Sequence, residues 1–236
     1  MTSKIHLRHI HIESIGKSNN VVLLYDPAYG SHNVNMLLRN LSGPFHSTLA
    51  IDDADVSPTD GVVHNIFRHS CTRFDTVVAA ALESQRANSA HRMLICATSS
   101  DWDFFKKPVA DQLMFNNHSL NITAVFLHSV LENLKLQPLP PTVRANCDHL
   151  VIFPTSFLGA EGFKRLYPVI SGVFQDKEYL MKLLKRCASL NLLLAIDTRG
   201  VACIKLPVTC PPDYSNSTDT LKEWCKTVEK GVNEFI

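Results

Sequence analysis

The sequence has no apolar stretch approaching the roughly 20 residues of a membrane span. Its opening residues, Met1-Thr2-Ser3-Lys4-Ile5-His6, lack the apolar core of a signal peptide. The expectation is a chain working in the cytoplasm or nucleus. The seven cysteines, Cys71, Cys96, Cys147, Cys187, Cys203, Cys210 and Cys225, include no C-x-x-C pair, and their number is odd. That argues against a disulfide frame or a zinc ribbon and for reduced, partly buried thiols. Charge of neither sign dominates: 23 basic side chains face 22 acidic ones. No global field draws in polyanions, so contact with nucleic acid requires a local patch. Long repeats and low-complexity tracts are absent as well. Without a signal peptide, the four N-x-S/T matches at Asn40, Asn117, Asn121 and Asn216 read as chance.

What remains is globular in composition. At 236 residues, 45% apolar and 19% charged, the chain holds one sizeable domain, or a domain plus a small appendage. Val21 to Tyr25 is a short run rich in β-formers and reads as a buried strand. Val34, Leu37, Leu38 and Leu41 recur at helical spacing just after it. Between them lie eight residues, Asp26-Pro27-Ala28-Tyr29-Gly30-Ser31-His32-Asn33. Strand, eight-residue loop and helix is the layout of a phosphate-binding loop, G-x-x-x-x-G-K-[ST]. The chemistry of that loop is missing. Asp26 and Ser31 stand at its two glycines, His32 at its lysine and Asn33 at its hydroxyl. Glycines let backbone N–H groups curl around phosphate, and the lysine neutralises β/γ charge. A carboxylate at Asp26 and a mostly neutral imidazole at His32 do neither. Taken alone, the stretch reads first as a plain strand–turn–helix without ligand.

The rest of the chain alternates. Residues 1–20 mix His6, His9 and His11 with Ile5, Leu7, Ile10 and Ile12, an edge strand or packed arm with no pattern favouring a metal. Strands are expected at Ser47 to Ile51, Met93 to Cys96, Ile122 to Leu127, His149 to Phe153 and Leu192 to Ile196, with Val201 to Leu206 returning as a hairpin. Helices are expected at about Arg73 to Gln85, Pro108 to Phe115, Gly159 to Tyr167 and Asp176 to Arg186. Asp52-Asp53-Ala54-Asp55 reads as a solvated acidic loop without calcium-loop spacing. Residues 207–236 read as a polar linker and a terminal amphipathic helix. The alternation predicts an α/β fold, a three-layer sandwich around a mainly parallel sheet, spanning residues 21–206. Loops after Tyr25, Cys96 and Leu127 then share one edge, where such sheets bind ligands.

The order of segments resembles the poxvirus-type virion DNA-packaging ATPases of the FtsK/HerA branch of P-loop motors. Val21 to Leu41 resembles their first strand, Walker A loop and helix. Ser89 to Cys96 resembles the approach to their Walker B strand. Phe115-Asn116-Asn117-His118 and Asn121 to Leu127 resemble their Gly-Arg-His turn and sensor strand. Leu139-Pro140-Pro141, Arg144-Ala145-Asn146 and Ser189 to Asp197 resemble segments farther on. The resemblance implies a P-loop NTPase-like sandwich and a place in virion genome packaging, in the host cytoplasm or nucleus or associated with the virion. It also implies that the catalytic positions have changed. The paired Walker B acids fall on Ala97 and Thr98, the arginine of the Arg-His pair on Asn117 beside His118, and the sensor glutamine on Ser129, or on His128 in a shifted register. Arg144 matches a candidate trans-acting finger. Asp101 and Asp103 follow the Walker B run on a loop, as surface charges or as magnesium ligands of an unorthodox motor. One arginine finger alone contributes roughly 10³–10⁵ in rate, so these losses imply a fold without efficient hydrolysis. No cofactor is then expected; ATP and Mg²⁺ apply if the loop works. Implied partners are further copies of the chain, an active packaging ATPase, virion proteins or DNA. DNA would meet Lys106, Lys107, Lys182, Lys185 and Arg186, which also read as a solvated face. A non-enzymatic virion or adaptor protein is the contrasting class.

Overall fold

The computed structural model describes residues 7–17, 19–26, 34, 36–41, 45, 47–52, 66–99, 106–129 and 140–205. Nine strands form one sheet: β1 (Arg8–Ile10), β2 (Asn20–Tyr25), β3 (Ser47–Asp52), β4 (Ile66–Ser70), β5 (Met93–Ser99), β6 (Ile122–Ser129), β7 (His149–Ile152), β8 (Leu192–Asp197) and β9 (Gly200–Lys205). Their order is β1-β9-β8-β7-β2-β6-β5-β3-β4. Every pairing is parallel except the two made by β8, which runs against the others. The expected mainly parallel sheet is therefore present.

The described helices are α1 (Ile12–Ile15), α2 (residues 36–41), α3 (Phe74–Ala87), α4 (Pro108–Asn116), α5 (Pro141–Asn146), α6 (Ala160–Ile170) and α7 (Lys177–Ser189). They divide between the two faces of the sheet. Helices α3 to α7 pack on Val22, Leu24, Ile95, Ala97, Ala124 and Phe126. Helices α1 and α2 pack on Val21, Leu23, Tyr25, Cys96, Val125 and Leu127. Alternate residues of each central strand thus feed two cores, which is why those strands read as unbroken apolar runs. The faces also sort the crossovers. Connections moving toward the β4 edge, β1 to β2 and β2 to β3, pass over the α1–α2 face. Those moving back, β4 to β5, β5 to β6 and β6 to β7, pass over the α3–α5 face. A single crossover hand requires that division.

Three elements were not evident in the sequence: the short α1, β4 at the edge beside β3, and α5, where Pro141 opens a helix through Arg144. Strand β5 runs to Ser99, three residues beyond the expected end at Cys96. The hairpin is as expected: Thr198 and Arg199 link β8 to β9, and Gly200 takes a φ of +109° that favours glycine. The expected edge strand of the N-terminal residues is β1, paired with β9. Cys96, Cys147, Cys187 and Cys203 are free thiols, in accord with a reduced set. Burial pushes Cys147 up to about 12 and Cys187 to about 11, so both stay protonated. Residues 207–236 and residues 1–6 lie outside the described set.

One charged cluster fastens β1 to the sheet. Asp197, its side chain 3% exposed, accepts hydrogen bonds from Arg8 Nη2 at 2.7 and 2.5 Å and from the Arg199 N–H at 2.8 Å. Burial raises the Asp197 carboxyl, but these bonds and the Arg8 and Arg199 charges outweigh it and hold it below the usual carboxylate range. His149 Nδ1 lies 3.9 Å from Asp197 Oδ2, and burial pulls the imidazole below its ordinary value of 6.5 despite that carboxylate. Asp197→Asn leaves the half-buried Arg8 without its anion. It is expected to cost about 1–3 kcal/mol in urea denaturation; a loss under about 0.5 kcal/mol would show that the cluster does not fasten β1.

The His149 shift also fixes a pH dependence. Between 6.5 and its lower folded value, the unfolded chain binds a proton that the folded chain refuses. Stability therefore falls as pH drops through that window. The slope of urea midpoint against pH is expected to flatten in His149→Phe; an unchanged slope contradicts the assignment.

Candidate functional site

Strand β2 lies between β6 and β7, and its neighbours' connections diverge. The chain leaves β2 over one face and leaves β6 over the other. Ligands of open α/β sheets bind beyond the carboxyl ends of strands at such a switch point. Register places Tyr25 opposite Ser129, Leu24 opposite His128, and Ser99 opposite His128. The ends of β2, β5 and β6 are therefore level, as the loops predicted.

The exit of β2 is pinned from the β7 side. The Phe153 N–H donates to the Leu24 carbonyl at 3.1 Å, and Phe153 meets Tyr25 edge-on with centroids 6.4 Å apart. A 3₁₀ turn follows at Pro154–Phe157. Its buried Ser156 accepts a hydrogen bond from the Asp26 N–H through Oγ at 3.0 Å. Helix α6 closes tightly behind it: a Cβ on Gly162 would stand 2.7 Å from the Ser156 carbonyl oxygen. No sequence pattern flagged Ser156 or Gly162, because their roles depend on a contact 130 residues apart in the case of Ser156 and Asp26.

At the ends of β2 and β6 the described side chains supply the Tyr25 hydroxyl, the Asp26 carboxylate and the buried His128 imidazole. Neither lysine nor arginine is among them. Pro27, Ala28, Tyr29, Gly30, Ser31, His32 and Asn33 lie outside the described residues, as do Asp101 and Asp103. Ala97 and Thr98, expected directly beyond the apolar run, instead lie inside β5 and are buried. The first positions past the strand are Ser100 and Asp101.

Asn117 and His118 do not join this edge. They precede the first residue of β6, whereas Ser129 is its last. Eight strand residues rise roughly 25 Å, so the expected sensor turn sits at the opposite end of the sheet. There the buried Asn20 acts as a hub. Its Nδ2 donates to the Met114 and Asn146 carbonyls at 2.9 and 3.0 Å, and its N–H donates to Asp148 Oδ2 at 2.7 Å. His118 Nε2 stands 3.6 Å from the same carboxylate oxygen. Arg144 belongs to this lower edge too, exposed on α5 beside a hollow of about 520 Å³. Of the basic residues considered for DNA, Lys107 is held by Asp75 at 2.8 Å and lies over Phe74. Lys182 and Lys185 border a shallow hollow with Phe163. Among the described residues no group of three or more His, Cys, Asp or Glu is placed to hold a metal.

No family model matches the chain, and no curated protein sequence matches it significantly. Solved structures share its architecture. The conjugation coupling protein TcpA of pCW3, a monomer form with ATPγS, aligns over 89% of this chain and 65% of its own at a TM-score of 0.54 and 7% identity. The cytoplasmic domain of the type VII secretion ATPase EccC of Thermomonospora curvata aligns over 93% of this chain and 28% of its own at a TM-score of 0.51 and 10% identity. At such identities the likeness is one of fold alone. The chain spans under two thirds of the length of either neighbour. It carries the mainly parallel α/β fold of P-loop ATPases.

Ser156→Ala removes the acceptor of the Asp26 N–H at the mouth of the loop. It is expected to cost about 1 kcal/mol and to speed amide exchange at Asp26. Unchanged exchange there would contradict the proposed pinning.

Proposed function

We propose that this chain is a diverged relative of the viral genome-packaging ATPases, retaining the P-loop frame for assembly or partner docking in virion DNA packaging and lacking efficient hydrolysis. The observation that carries this reading is the loop between β2 and α2. A strand at the switch point, followed by residues 26–33 and then by helical residue 34 and α2, supports that frame. Asp26, Ser31, His32 and Asn33 occupy the positions that handle phosphate and magnesium. The loss of lysine and hydroxyl removes charge neutralisation and metal support together. Partners under this reading are other copies of the chain, an active packaging ATPase, virion proteins or DNA.

The length of β5 favours a second reading. Because the strand runs to Ser99, Asp101 follows only two residues past its end, closer than the sequence pattern implied. An active motor would use Asp101, with Asp103 near it, as a magnesium ligand and His32 against phosphate.

Thermal unfolding with Mg²⁺ and ATPγS, together with phosphate release from ATP, separates the two. The first reading expects a midpoint shift under about 0.5 °C at ~1 mM nucleotide and no release above the protein-free rate. A shift of several degrees with turnover that Asp101→Asn abolishes establishes the second and overturns the first.

A further inference from the structure

The hollow on the lower edge belongs to none of the chemistry discussed so far. It lies at the end of the sheet opposite the loop after β2, under the turn between α6 and α7. Its volume, about 520 Å³, falls within the roughly 300–1,000 Å³ of small-molecule sites. Leu150, Val169, Ile170 and Ile196 form an apolar wall, and the first three are buried. Arg144 also lines the hollow, and its guanidinium makes no ion pair among the described residues.

The other charges nearby leave that cation available. Asp197, the one carboxylate among the described residues lining the hollow, is engaged by Arg8 and stands 3.6 Å from Arg199. Cys147, also in the lining, stays a neutral thiol. Thr198 and Ser171 add hydroxyls to the lining, and the Ser171 hydroxyl donates to the Pro168 carbonyl at 3.3 Å. The hollow is therefore mostly apolar, with one lining cation that no described carboxylate pairs. That combination selects a molecule with an apolar body and a single negative head. The planar fork of arginine suits a carboxylate or a phosphate monoester alike.

We propose that this hollow binds a small amphiphilic anion, its head paired with Arg144 and its body against Leu150, Val169, Ile170 and Ile196. The site is independent of nucleotide, so it stands or falls apart from the proposed function. Arg144 then serves as a ligand anchor in its own chain.

Titration calorimetry of the full chain with sodium decanoate, below its micelle concentration, tests the proposal. Decyl phosphate tests the alternative head, while acetate and 1-decanol supply head or body alone. Two variants probe the site. Arg144→Gln removes the charge on an exposed helix position. Gly172→Trp fills the mouth, where a Cβ would meet nothing within 4 Å, so the fold tolerates it. Saturable one-to-one binding of decanoate or decyl phosphate is expected, at least tenfold weaker for acetate and decanol, and at least tenfold weaker in each variant. Far-UV circular dichroism confirms that both variants fold. Absence of saturable binding, or binding that both variants leave unchanged, overturns the proposal.

Discussion

Burial of β2 is the constraint on which the rest of the molecule depends. All six of its residues are at most 1% exposed, shielded by strands on both sides and helices on both faces. A strand so enclosed has no alternative register, because a one-residue slip would exchange the two cores. Its ends are fixed by different means. Asn20 ties the lower end to α4, α5 and Asp148, and Ser156 takes the first N–H beyond the upper end. Breaking the lower hub would strand a buried amide and a carboxylate partner at once.

That constraint gives the two edges of the sheet different characters. The upper edge is where the crossovers diverge, yet its described strand ends offer the Tyr25 hydroxyl, the Asp26 carboxylate and the buried His128 imidazole. The lower edge concentrates ionised groups: Arg8, Arg144, Asp148, Asp197 and Arg199. Fold likeness to TcpA and EccC concerns the frame common to both edges. It carries no information about which edge is chemically active here, since fold and function separate readily.

The frame was legible in the sequence because apolar runs of β-formers are physically distinctive. Six of the strand runs, the α3, α4, α6 and α7 segments and the closing hairpin all lie within a few residues of their expected positions. Asp176 even signals the start of α7, accepting from the Glu178 and Tyr179 N–H groups at 2.8 and 3.1 Å. Strand β4 escaped because its Arg68, His69 and Ser70 break the apolar pattern, as is usual at an edge. The extension of β5 escaped because Thr98 and Ser99 look like the start of a loop until parallel pairing with Leu127 and His128 draws them in. Site residues were less legible than strands. Asn117, His118 and Ser129 were matched together to a sensor turn and strand by resemblance, but the length of β6 separates the first two from the third.

The proposed function holds that a P-loop frame persists here without the groups that grip phosphate. Equilibrium dialysis of labelled ATPγS with Mg²⁺ against the full chain tests it most directly. The account predicts no saturable binding up to about 1 mM, where a native phosphate loop would be fully occupied. One nucleotide bound per chain with a micromolar Kd, lost on Asp26→Ala or His32→Ala, would contradict it.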